Sequence, residues 1–349
     1  MKDLVEISKF SGMREDLVQA GGGNSSVKLG GSRMAIKSSG IQLAEVSEGS
    51  GYSIVDYRLI EQYMQDLAQD TAKVSEQEIL KAALLEGGRP SIETFLHAIT
   101  KRVTLHTHSV AVNVLTARNG GMELLKSLFP EALLVDYATP GLKLAKLYYQ
   151  TYMDAMAAGH KDFKIIFMKN HGMLISGETA DEVIRMTEAV NQKIEAYIGM
   201  DNTAYRHAYE IYKTFMDAGI KDGKIIVKVE NKVILDVYET FGYNLWNYRI
   251  CPDCIVFCGR IPFEYSAGCT KDDVVEFVMN HGEPVLVQYR QHLFIRAESV
   301  RKAREIEAVL AFSAQVAFFN KNSEMDTLSD EEQNFLLNWD AETYRQKMK

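Results

Sequence analysis

Cysteine is missing from the first 250 residues. All four lie close together, as Cys251, Cys254, Cys258 and Cys269. So small and clustered a set excludes a disulfide framework. No apolar run is long enough to span a bilayer, and the opening MKDLVEISKFSGMREDL lacks the apolar core of a secretory leader. Basic residues are in the minority, 39 Lys and Arg against 47 Asp and Glu, for a net charge of −8 at pH 7. They are also scattered, which excludes a polyanion groove and nucleic acid as a partner. Neither GxGxxG nor a P-loop is present, so nucleotide binding is not expected. There is no internal repeat and no low-complexity segment. These absences predict a cytoplasmic protein without a membrane partner.

What is present suffices for more than one core. The chain has 349 residues, 46% apolar and 25% charged, and that length favours two domains. Composition changes near residues 201–222, which predicts a first domain over 1–205 and a second over 206–349. The first mixes strands and helices, an α/β pattern. Its expected elements are a helix in the opening 20 residues, two strands around Gly30-Gly31, and a helix over 56–70. A helix over 91–101 with Ser91 as N-cap follows, then a strand at RVTLHTH with Ser109 capping the next helix. A helix over 141–159 comes next, and two strands hinge at Asn170-His171-Gly172. Thr179 and Glu182 form a capping box for a long helix to about Met200. The second part reads as a smaller α+β unit. It has a hairpin over 224–239, a strand at RICPDCIVFC, a hairpin at EPVLVQYRQHLFIRA, and helices from about Ser299 and Asp330.

Chemistry concentrates in VTLHTHSV. Residues two apart on a strand share a face, so His106 and His108 point together. Two imidazoles at a strand end supply two metal ligands, and His171 in NHG is the candidate third. Gly172, free to take positive φ, suits the tight turn behind it. Three neutral imidazoles with one open position form the donor set of a catalytic zinc. Glu93, in RPSIETFLH one short helix earlier, is a candidate general acid/base. GGGNSS and KSSG are small-residue loops whose N–H groups and hydroxyls can cradle an anion. Cys251 and Cys254 can be half a zinc knuckle. Pro252 splits the motif, and Cys254 and Cys258 sit among apolar neighbours, so buried structural thiols are the preferred reading.

In order, GGNSS, KSSG, PSIE, HTH, NHG and SGET resemble the class II aldolase/adducin family over roughly residues 5–200. The resemblance implies an α/β/α sandwich with a central, mostly antiparallel sheet, usually assembled as a homo-oligomer, a tetramer. It implies zinc on His106, His108 and His171, and Glu93 as the catalytic acid/base. Asn24, Ser38 or Ser39, Gly40 and Ser91 match the family's phosphate-binding positions. Tyr137, in DYATPG, falls near a tyrosine that some members use in catalysis. Ile92 departs from the pattern of fuculose-phosphate aldolases, which place a second phosphate-binding serine there. Lys37 could compensate if it turns inward. PSIET, PDCIVFCGRIP and the closing NWDAETYRQ look more like the aldolase part of bifunctional rhamnulose-1-phosphate aldolase/dehydrogenases. The implied activity is zinc-dependent cleavage of a ketose 1-phosphate to dihydroxyacetone phosphate and an aldehyde. The family scaffold also supports sugar-phosphate epimerisation, dehydration and decarboxylation, and in adducin a non-enzymatic binding role.

Overall fold

The computed structural model of the chain describes residues 1–160, 162–220 and 223–337. It divides into two compact units, Met1–Asn202 and Thr203 onward. The first unit is built on eight strands: β1 (Asn24–Lys28), β2 (Arg33–Lys37), β3 (Tyr52–Asp56), β4 (Leu84–Gly87), β5 (Val103–Thr107), β6 (Leu133–Val135), β7 (Ile165–Met168) and β8 (Gly172–Gly177). Their order across the sheet is β4-β3-β2-β1-β5-β8-β7-β6. Every pairing is antiparallel except β6 with β7.

Eight helices accompany the sheet: α1 (Lys2–Gly12), α2 (Tyr57–Ala68), α3 (Glu76–Ala83), α4 (Thr94–Ala98), α5 (Val110–Thr116), α6 (Gly121–Leu128), α7 (Leu142–Ala157) and α8 (Ala180–Ile198). They sort by the face each strand offers. Met34, Ile36, Val55, Ile166 and Leu174 point to one side, where they meet α2, α3, α4 and α7 in one apolar core. On the other side α1 and α5 pack against α8, and α6 against α5. The result is an α/β/α sandwich around a mostly antiparallel sheet.

A polar strip interrupts the first face. Cross-strand partners share a face, and the register pairs Asn24 with His106 and Ser26 with Thr104. The short helix α4 covers that strip through side chains. Ser26 Oγ lies 2.7 Å from His97 Nδ1, and Thr100 Oγ1 lies 2.6 Å from Thr104 Oγ1. α4 is shorter than the helix expected over 91–101. Ser91 Oγ, three residues before the helix begins, accepts from the Glu93 N–H at 3.2 Å. Glu93 therefore sits on the turn, with φ −81° and ψ 3°.

The second unit has a four-stranded sheet. Its strands are β9 (Ile225–Lys228), β10 (Phe263–Tyr265), β11 (Leu286–Tyr289) and β12 (His292–Ala297), in the order β10-β11-β12-β9. Its helices are α9 (Thr203–Asp217), α10 (Lys232–Phe241), α11 (Pro252–Cys258), α12 (Lys271–His281), α13 (Val300–Phe319) and α14 (Asp330–Leu337). The hairpin expected over 224–239 is a strand followed by a helix. Asn231 caps α10 by accepting from the Val233 N–H, and Ile234, Val237 and Tyr238 supply its buried stripe. The strand expected at RICPDCIVFC is α11, with Pro252 in its first turn. The closing segment NWDAETYRQ lies outside the described residues. No described helix is long and apolar enough to cross a membrane.

Candidate metal centre

Three neighbouring elements at one end of the first sheet supply the site. β5 runs through His106 into His108, the β7–β8 turn carries His171, and the turn before α4 carries Glu93. One donor atom from each of these four residues lies within 4.8 Å of all the others. The Nε2 atoms of His106 and His108 are 3.1 Å apart. Glu93 Oε1 lies 3.0 Å from His171 Nε2 and 3.5 Å from His106 Nε2. The sequence reading placed Glu93 beside the metal ligands. The structure puts its carboxylate inside the donor cluster.

Neighbouring groups set how these donors point. His106 Nδ1 is 3.0 Å from the Met173 carbonyl. A carbonyl can only accept, so Nδ1 carries the proton and Nε2 offers its lone pair to the cluster. Asn113 on α5 donates to the His171 carbonyl at 3.2 Å, which ties down the turn. Asn24 Nδ2 donates to Glu93 Oε2. The turn itself differs from the sequence reading. Positive φ falls on Asn170, at +54°, and not on Gly172. Gly172 is needed because a Cβ there would stand 2.1 Å from the Thr107 carbonyl oxygen.

The electrostatics fit a cation. Burial pushes the Glu93 carboxyl up, but His106 and His171 outweigh it and hold the group well below the usual carboxylate range. Burial also works against a proton on His106, yet Glu93 overrides it and raises that imidazole. His108 has burial and the neighbouring His106 against it, and falls to about 3. Two ring nitrogens aimed at each other at 3.1 Å need a shared proton or a cation between them. Metal–nitrogen bonds of about 2.0–2.1 Å in a tetrahedron set such nitrogens about 3.3 Å apart. The residues present therefore fit a metal ion.

The expected anion-binding residues divide into two groups. Asn24 joins the cluster through Glu93, and its Oδ1 is buried with no hydrogen-bond partner. Lys37 does turn inward and is buried. Its Nζ donates to the carbonyls of Ile41 at 2.7 Å and Gly21 at 3.2 Å. The Ser38 hydroxyl lies 2.7 Å from that of Ser53. The cradle of backbone donors is smaller than expected, because the N–H groups of Ser38 and Ser39 are taken by the carbonyls of Gly51 and Arg89. Ser39 and Gly40 are exposed, and Ser91 is buried in the Glu93 turn. Tyr137 leaves β6 at the same end of the sheet as His171 but stays 58% exposed. Thr179 caps α8 by accepting from Glu182 N–H at 3.2 Å. The expected reciprocal bond goes elsewhere, as the Glu182 carboxylate accepts from Glu178 N–H at 2.8 Å.

The family described as the class II aldolase and adducin N-terminal domain matches residues 2–198, and the chain belongs to that family. A curated relative, "Uncharacterized oxidoreductase YuxG" of Bacillus subtilis (strain 168), is 30% identical over 113 residues. That stretch is 32% of this chain and only 16% of the relative's length. Among solved structures, the N-terminal class II aldolase domain of a conserved Thermoplasma acidophilum protein is 23% identical, with a TM-score of 0.48, over 56% of this chain and 92% of that one. An L-fuculose 1-phosphate aldolase is 19% identical, with a TM-score of 0.40, over 61% of this chain and 95% of that one.

Proposed function

We propose that the protein is a zinc-dependent aldolase that cleaves a ketose 1-phosphate, of the rhamnulose or fuculose type, to dihydroxyacetone phosphate and an aldehyde. The observation that carries this reading is the convergence of three imidazoles and a half-buried carboxylate at one sheet end, in a chain of the class II aldolase and adducin family. His106, His108 and His171 would hold the ion. When bound, zinc supplies Lewis-acid stabilisation of the negative charge that develops as the carbon–carbon bond breaks, worth several kcal/mol.

Glu93 is the proton carrier in this reading. Its environment keeps it ionised, so in the condensation direction it can take a proton from the carbon of dihydroxyacetone phosphate, and in cleavage it passes to the enediolate carbon a proton that began on the hydroxyl beside the breaking bond. Asn24 holds the far carboxylate oxygen and fixes the orientation of Oε1. The exposed Ser39 hydroxyl and Gly40, with Asn24 and Ser91, are the proposed contacts for the substrate phosphate, and the buried Lys37 adds positive charge nearby. Binding the phosphate there spends remote binding energy on placing the reacting carbon. Tyr137 is the proposed second proton carrier. The partners in this reading are a sugar phosphate and further copies of the chain.

Metal content and cleavage test the reading together. Wild type is expected to carry about one zinc per chain by mass spectrometry and to release dihydroxyacetone phosphate from a panel of ketose phosphates. His106→Ala should lose both. Glu93→Gln should keep metal and lose at least about 100-fold in cleavage rate. Full cleavage by Glu93→Gln with metal bound would remove the acid/base role. A metal-loaded wild type that interconverts pentulose phosphates without cleaving them would turn the reading to epimerisation.

A further inference from the structure

The metal centre leaves one motif unused, Cys251-Pro252-Asp253-Cys254 in the second unit. The two sulfur atoms are 3.3 Å apart, and all four cysteines are free thiols. Cys251 precedes α11 in extended backbone, φ −157° and ψ 163°. Its carbonyl accepts from the Cys254 N–H at 3.1 Å. That bond closes the turn, so the two thiols meet without backbone movement. A disulfide needs a sulfur–sulfur length of about 2.05 Å, within reach of small side-chain rotations from here.

The two thiols differ in the way an exchange pair requires. Cys251 is half-buried and reachable, and Cys254 is buried. Burial raises the Cys254 thiol, which keeps it protonated until a partner sulfur is attacked. The remaining cysteines do not complete a metal site around the pair. Cys258 faces the Ile306 carbonyl on α13, and Cys269 that of Thr270. Burial pushes Cys258 up to about 12, so it is inert. The pair also touches the packing of its unit, since α11 packs against α13.

We propose that Cys251 and Cys254 form a reversible thiol–disulfide pair that exchanges with small disulfides such as glutathione disulfide. The Cys251 thiolate attacks one sulfur of the small disulfide, and the other sulfur leaves and takes up a proton. Cys254 then gives up its proton and attacks Cys251 Sγ, expelling the second thiol. The protein loses two electrons and two protons, and one disulfide becomes two thiols.

The whole chain, metal-loaded and equilibrated in graded glutathione buffers, then acid-quenched, denatured, alkylated and weighed intact, tests this. Oxidised wild type should lose two hydrogens and two of its four alkylatable thiols, with peptide mapping placing the bond at 251–254 and dithiothreitol restoring both. Cys251→Ser should form no such bond. Cys254→Ser should stop at a glutathione adduct on Cys251. Four alkylatable thiols in oxidising buffer, a lasting adduct on wild-type Cys251, or a zinc ion retained by the cysteines of His106→Ala would each overturn the proposal. Should the buried Cys254→Ser fail to fold, Cys251→Ser at its half-buried position still decides it.

Discussion

A single glycine shows how closely the centre is packed. The run GGGNSS reads in sequence as an anion cradle, and in the fold its middle glycines have a steric duty. A Cβ on Gly22 would stand 2.7 Å from His108 Nδ1 and 3.0 Å from the Gln19 carbonyl oxygen. Gly22 is not at positive φ, so only space forbids a side chain there. Gly22→Ala must push the His108 ring, one of three imidazole donors. The expected result is a 10- to 100-fold loss of metal affinity, the usual scale for disturbing a ligand's support, with the fold kept. Competition against a chelator, with circular dichroism as the control for folding, measures it. Unchanged affinity would mean that the loop yields and the ring does not. Sequence reasoning placed Glu93 beside the metal ligands, and the structure sets its carboxylate among them. Its entry into the donor cluster depends on the turn closed by Ser91, and a sequence does not show where such a turn aims a carboxylate.

Among elements, α4 matters most to the site, and it adds polar contacts to the apolar ones of Phe95, Leu96 and Ala98. Ser26 meets His97, and Thr100 meets Thr104, both pairs buried. His97 Nε2 is already buried without a partner. Ser26→Ala would leave Nδ1 in the same state, and an orphaned buried polar group costs about 1–3 kcal/mol. A lower melting temperature is expected, with a smaller loss of metal affinity than from Gly22→Ala, because α4 delivers Glu93 and none of the histidines. Equal stability would show that water replaces the serine. Elements with one clear period were legible in the sequence: β5 from its alternation, α8 from its cap, the β7–β8 pair from the turn between its strands. α10 and α11 were not. In α11, Cys254 and Cys258 are four apart, a spacing that puts both on one face of either a strand or a helix. The deciding signal was Pro252 in the first turn, read as splitting the cysteine motif when it opens a helix. In α10 the β-branched residues argued for strand, and Asn231 as cap with a three- and four-residue apolar spacing won.

Across the whole molecule, the strand order could not be read from local pattern. β1 lies between β2 and β5, and β5 between β1 and β8, pairings that span most of the first unit. The site inherits this. Residues 24, 93, 106, 108 and 171 meet only because the sheet closes over those distances, so local pattern supplied the histidine pair and offered His171 and Glu93 as candidates, and family resemblance supplied Asn24. All five lie in Met1–Asn202, which is also the extent of one compact unit and contains the family match to residues 2–198. Metal binding should therefore be independent of the second unit. A chain ending at Asn202 is expected to fold, by circular dichroism, and to bind metal with the stoichiometry of the full chain and an affinity within about 10-fold, the lower edge of the effect of disturbing a ligand's support. A folded fragment that binds no metal would mean that residues beyond 202 complete the donor set, and the four-residue cluster would no longer describe the centre.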